Sequence, residues 1–255
     1  MLAYLLMFSY AIARPSSESL FLAVHDAAEL PRVWILVAFA ALATVAVYNR
    51  FSTRHDLVTL YAAVCLITGV SMTGLVFAWK AGLPGTPYAL YVWKDIYIVV
   101  LVEVFYSFAY AVFPIPLAPW YYCPVGGVLV HGVISGNLAV GPLAQRVGTD
   151  DSLWAVLPAL ALSAVLCVAF ARVIGARSLM REVDAGEGPP KITEGLAILR
   201  SSSYLLLMLG LIAVVQVAIT LIDYQFNGIV EAAYPDTDTR TGVIGKVYAA
   251  VNTGT

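Results

Sequence analysis

SYLLLMLGLIAVVQVAITLIDY, residues Ser203 to Tyr224, decides the fold class. From Ser203 to Ile222 no residue is charged, which is about the 20 residues an α-helix needs to cross a hydrocarbon core of roughly 30 Å. Inside a bilayer every backbone N–H and C=O must be satisfied within the segment, so such a run is read as a helix. Six further apolar stretches precede it: Met1 to Val24, Pro31 to Tyr48, Leu57 to Trp79, Leu90 to Phe113, Trp120 to Leu143 and Leu153 to Ile174. An eighth starts at Gly242 and is cut off at Thr255. The composition agrees, since 61% of the 255 residues are apolar and 12% are charged, against about 25% charged in an ordinary globular domain. The predicted fold class is all-α, a polytopic membrane helical bundle.

A formal net charge of -2 leaves no basic footprint for nucleic acid. Cys65, Cys123 and Cys167 stand far apart in apolar runs and form neither a CxxC pair nor a zinc-ligand spacing, so they read as small buried residues. No metal or cofactor is expected. The first stretch lacks a basic n-region and an A-x-A-like site, so it is not a cleavable signal peptide. No nucleophile–base pairing or phosphate loop suggests an enzyme.

Trp34, Trp79, Trp93, Trp120 and Trp154 all fall within a few residues of a span end in this count, where indole rings sit at the headgroup level. Arg50, Arg54, Arg172, Arg177, Arg181, Lys191 and Arg200 fall on one side of the predicted topology. Arg32, Lys80, Arg146 and Arg240 fall on the other, with Arg14 counted there too although it lies within a span. The excess on the first side predicts a cytoplasmic N-terminus.

Residues Gly175 to Leu199 are polar and broken by Gly-Glu-Gly-Pro-Pro, the signature of a linker. The predicted organisation is a six-helix bundle over residues 1–174, a cytoplasmic linker over 175–202, and the first helix and truncated second helix of another bundle over 203–255. Six helices, a long linker and new helices is the layout of a major-facilitator-like transporter, here an N-terminal half and the start of the second.

Ionisable residues inside spans are costly and by default face the bundle interior or a wet cavity. In the first span Arg14, Pro15, Ser16, Ser17 and Glu18 lie near the middle. Pro15 should interrupt and kink the helix, and Arg14 and Glu18 are one turn apart and can pair. The alternative is a neutralised pair at the end of a short span. In the fourth span, Asp95 and Glu103 share a broad face; Lys94 can snorkel to the interface, whereas Glu103 is a cavity group or a carboxyl kept neutral. Gly132 and Gly136 form a GxxxG helix-packing pair around His131, which is expected to bond a neighbouring helix. Asp223, Gln225 and Asn227 follow the long uncharged run and read as either interfacial or site-forming.

SYAIARPSSESLFL, YVWKDIYIVVLVEVFYSFAYAVF, GGVLVHGVISGNLAVGP, SSYLLLMLG and IVEAAYPDTDTRTGVIGKVYAAVN, in this order and spacing, resemble the ATP/ADP translocase (nucleotide transporter) family and its bacterial major-facilitator-like relatives. The resemblance implies a substrate path lined by Arg14, Ser17, Glu18, Asp95, Asp223 and Asn227, to which the reading of ionisable residues inside spans adds Glu103. It also shows two departures. Ser17 stands where the exchangers carry a lysine, and Asn227 stands where they carry a second basic residue, while the acids at Asp95 and Asp223 are kept. A polyphosphate in a low-dielectric cavity needs positive partners. The expected function is therefore a secondary transporter of an unidentified small solute, distinct from ATP/ADP exchange. The alternatives are a nucleotide exchanger using Arg14 and Lys94, or a non-transporting truncated scaffold. Expected partners are membrane lipid, a small-molecule solute with or without a coupling ion, and a missing C-terminal bundle or second chain; nucleic acid is not among them.

Overall fold

The computed structural model describes residues 1–52, 55–112, 118–173 and 199–254. Among them every regular element is helical: α1 (Leu2–Leu22), α2 (Leu30–Ser52), α3 (Leu57–Lys80), α4 (Thr86–Val112), α5 (Ala118–Val147), the short α6 (Thr149–Ser152), α7 (Val156–Val173), α8 (Ser203–Ala233) and α9 (Thr237–Thr253). The fold is an all-α helical bundle. The sequence-predicted linker lies outside the described residues except at its last few positions.

Among the described residues, five segments are long and apolar enough to cross a membrane: Ala27–Phe51, Leu57–Lys80, Cys123–Val147, Thr149–Val173 and Ser203–Ala233. Two other long helices, α1 and α4, lie outside this set; they carry Arg14 and Glu18, and Lys94, Asp95 and Glu103.

The sequence predicts a break at Pro15, but α1 runs through it. A proline inside a helix removes a backbone donor at a cost of about 3 kcal/mol. Here hydroxyls support the turns on either side, Ser16 Oγ donating to the Ile12 carbonyl at 2.9 Å and Ser9 Oγ to Leu6 at 2.7 Å. Packing does the rest: α1 lies against α4, α5, α7 and α9, and most of its side chains are buried.

α5 is the helix that others approach closely. A Cβ at Gly132 would stand 2.5 Å from the Tyr4 carbonyl oxygen, and one at Gly136 2.6 Å from that of Phe8, so this GxxxG pair seats α1 as predicted. On another face, a Cβ at Gly141 would lie 3.0 Å from the Gly242 Cα, and one at Gly245 2.5 Å from the Asn137 oxygen. That contact brings α9 onto α5. His131 differs from its expected role, because its Nδ1 lies 2.8 Å from the Gly127 carbonyl of its own helix rather than bonding a neighbour.

Helix ends on one side are joined by polar contacts. The Ala27 N–H donates to Glu231 Oε2 at 2.8 Å, and Tyr88 Oη donates to Glu29 Oε2 at 2.7 Å. Lys80 pairs with Asp151, and the Thr149 N–H donates to Asp238 Oδ1 at 2.7 Å. Between α5 and α6, Gly148 has φ 92 and ψ 155, a conformation open essentially to glycine alone. Arg240, counted in the sequence as a loop cation, is instead buried, donating to the carbonyls of Tyr234, Pro235 and Ser19. It fastens the α8–α9 turn to α1.

The sequence boundaries moved in three informative places. α4 starts at Thr86, so Trp93 is inside the helix rather than at its end. α8 continues to Ala233, which puts Asp223 ten residues inside it, and α9 starts at Thr237 rather than Gly242. Cys65 and Cys167 are buried as expected, whereas Cys123 is exposed.

Candidate functional site

Arg14 lies eight residues before the end of α1, Lys94 eight after the start of α4, Asp223 ten before the end of α8, and Tyr248 eleven after the start of α9. At 1.5 Å per residue each is about 12 to 17 Å below the stitched side of the bundle. Four helices therefore present polar groups at one depth, near the middle of a core of roughly 30 Å.

The groups meet. Arg14 Nε donates to Glu18 Oε1 at 3.0 Å, and Arg14 Nη2 lies 3.4 Å from Asp223 Oδ2 and 3.3 Å from Tyr248 Oη. Tyr248 Oη donates to Glu18 Oε2 at 2.9 Å, and its ring centroid is 4.3 Å from Arg14 Cζ. Lys94 Nζ donates to Asp95 Oδ1 and Oδ2 at 2.9 and 3.0 Å and lies 3.6 Å from Glu18 Oε1. It also stands 4.0 Å from the Tyr91 ring centroid. The hydroxyl of Tyr91 is fixed by the Trp34 indole at 2.9 Å. Lys94 is thus buried in the network, and the snorkelling expected of it does not occur, because two carboxylates and an aromatic face hold its ammonium inside.

Glu18 is the hub. Its carboxylate is reached by Arg14, Lys94 and Tyr248, from three different helices. The side chains of Glu18 and Lys94 are each 3% exposed, whereas those of Arg14, Asp223 and Asp95 are 31%, 33% and 25% exposed. The second set forms the exposed side of the network. Two cations face three carboxylates, so the formal balance of the network is one negative charge.

Ser17 and Asn227 are both buried beside this network. The Asn227 amide donates to the Asp223 carbonyl at 2.8 Å, holding the turn that carries the acid. The Ser17 hydroxyl and the Asn227 Oδ1 have no hydrogen-bond partner. Of the sequence-predicted residues, Arg14, Glu18, Asp95 and Asp223 come together and Ser17 and Asn227 adjoin them. Glu103 does not. It is exposed, two turns and about 12 Å along α4 from Asp95, because the face the two share in projection is broad. Sequence reasoning left Lys94 outside the main set and missed Tyr248; the signal for both is their common depth with Arg14 and Asp223.

No family model, curated protein or solved structure matches the chain. Among the described residues no group of His, Cys, Asp and Glu is arranged to hold a metal ion.

Proposed function

We propose that the chain belongs to a secondary transporter of the major-facilitator type, which moves a small solute by alternating access past the Arg14–Glu18–Lys94–Asp95–Asp223–Tyr248 network. The observation that carries this reading is the Arg14–Asp223 contact, which joins the first bundle to α8 at mid-depth. Buried charges in apolar helices are retained where they line a solute or ion path. The close α5–α9 packing and the stitched helix ends support a state closed on the side where those ends lie. In this reading that side is extracytoplasmic, the N-terminus is cytoplasmic, and the membrane is a bacterial inner membrane. A further helical bundle completes the path against α8, whose apolar surface is almost wholly exposed.

The resemblance to nucleotide transporters extends in this proposal to architecture and not to substrate. Arg14 and Lys94 are both engaged by carboxylates, and Ser17 and Asn227 carry no charge. Losing a charged contact to phosphate costs on the order of 1.5 to 3 kcal/mol, about one to two powers of ten in affinity. Thermal stability of the purified protein against a panel of small charged solutes tests the reading. A substrate raises the melting temperature of the wild type and not of Asp223→Asn, and ATP and ADP give no shift at micromolar concentration. A micromolar ATP response would return the assignment to nucleotide exchange.

A further inference from the structure

On its α8 side the charged network is short of hydrogen-bond donors. Among the described residues the Asp223 carboxylate accepts from Arg14 Nη2 alone, at 3.4 Å, where a bond between a cation and a carboxylate is normally about 2.7 to 2.9 Å. One turn further along α8, Asn227 lies on the same face. It is 2% exposed on a helix whose surface is otherwise almost wholly exposed, so its side chain points into the bundle. Its amide nitrogen donates to the Asp223 carbonyl, and its Oδ1 accepts nothing. An amide oxygen can only accept, and burying one without a donor is costly. The hydroxyl of Ser17, one turn from Arg14 on α1, is buried and equally without a partner, although those of Ser9 and Ser16 bond carbonyls of the same helix.

The two cations of the network are already engaged. Lys94 donates to both oxygens of Asp95 and lies 3.6 Å from Glu18, and Arg14 is shared between Glu18 and Asp223 with its guanidinium over the Tyr248 ring. A solute bearing a carboxylate or phosphate would bring a fourth anionic group to two cations, and like charges in a low-dielectric site repel. A protonated primary amine does the opposite. It brings three N–H donors and takes the formal balance of the network from one negative charge to neutral. Hard divalent cations take about six or more oxygen ligands, more than the turn of Asp223 and Asn227 provides.

We propose that the network takes as its solute a small organic monocation bearing a primary ammonium, whose N–H groups are received by the Asp223 carboxylate and Asn227 Oδ1. The inference rests on the transport reading of the network and adds the chemistry of what is carried.

The melting temperature of the purified protein is measured at fixed ionic strength against ethyl- to hexylammonium chlorides. Tetramethylammonium, the matching carboxylates, the matching α-amino acids, and sodium in place of potassium run in parallel. At least one alkylammonium should give a saturable rise that the parallel solutes do not, and Asp223→Asn should abolish it. Asn227→Leu should weaken the apparent affinity roughly tenfold, the loss of one charge-assisted bond, and Asn227→Asp should strengthen it. If Asn227→Leu does not fold, Asn227→Asp carries the comparison. No saturable rise with any alkylammonium, an equal rise with tetramethylammonium, sodium or the amino acids, or an affinity unchanged by substitution of Asn227 overturns the proposal. A rise that depends on Asp223 with a carboxylate or an amino acid in place of the amine overturns the ammonium assignment alone and leaves the transport reading standing. If no solute of any charge gives such a rise, the transport reading falls with it.

Discussion

Arg14 and Asp223, separated by 209 positions in the chain, lie 3.4 Å apart between α1 and α8. Their environments are unequal: Arg14 also serves Glu18, which is 3% exposed, whereas the Asp223 side chain is 33% exposed. Removing one partner of a buried pair leaves an uncompensated charge, at a cost of roughly 3 to 5 kcal/mol, while a partly exposed partner costs less. Arg14→Gln should therefore lower the melting temperature markedly more than Asp223→Asn. Glu18→Gln should resemble Arg14→Gln, because it removes the most buried carboxylate of the network and leaves Arg14 only Asp223 and Lys94 only Asp95 as anionic partners. Equal small shifts for all three variants would contradict the network's being the bundle's buried hub.

Helix approach at α5 gives a second test. Gly136→Ala places a methyl group 2.6 Å from the Phe8 carbonyl oxygen and 2.7 Å from Ala11 Cβ, so α1 must move. Overpacking of this kind costs typically 1 to 3 kcal/mol. Gly127→Ala, where no atom lies within 4 Å, should be neutral or slightly stabilising. Thermal unfolding in detergent distinguishes the two, and a destabilising Gly127→Ala with a silent Gly136→Ala would reverse the assignment of faces.

The start of α9 carries a pH-dependent cap. The Asp236 carboxylate accepts from the Thr239 hydroxyl at 2.6 Å and from the Thr239 N–H at 2.8 Å, and these bonds hold its carboxyl below the usual carboxylate range. A depressed carboxyl stabilises the fold above its unfolded pKa and loses that contribution as pH falls through the folded value. Protection of the Thr239 amide from hydrogen exchange should be high at neutral pH and fall below the ordinary Asp range. In Asp236→Ala it should be low at every pH. Protection that is insensitive to the substitution would remove the cap from the account.

Much of this is legible in the sequence, and the reasons are physical. The seven apolar stretches and the start of an eighth correspond to helices because a mostly apolar run of that length has few other stable states in a membrane. The Arg14–Glu18 pair followed from helical spacing alone, and Gly132 and Gly136 from the need for small residues at a close crossing. What could not be read was which faces meet. Glu103 and Asp95 share a projection, yet only Asp95 joins the network. Lys94 looked able to reach water until Glu18 and Tyr91 appeared beside it. Pro15 breaks a helix in isolation, and the packing around α1 overrode that local preference.

Topology can be checked from outside the cell. In a cysteine-less background, a cysteine at Gly82, in the α3–α4 turn, should react with an impermeant maleimide in intact cells, and one at Arg50 should react only after permeabilisation. The reverse pattern would invert the orientation proposed from the basic residues.

In the proposed function the charged network lines a solute path that does not serve ATP/ADP exchange. Counter-flow in proteoliposomes tests it most directly, with the protein in its complete membrane form, the solute that stabilises it inside, and radiolabelled solute or radiolabelled ATP outside. The account predicts saturable uptake of the solute, lost in Arg14→Gln and Asp223→Asn, and no ATP uptake above protein-free vesicles. Robust ATP counter-flow abolished by Arg14→Gln, or solute uptake indifferent to both substitutions, would contradict it.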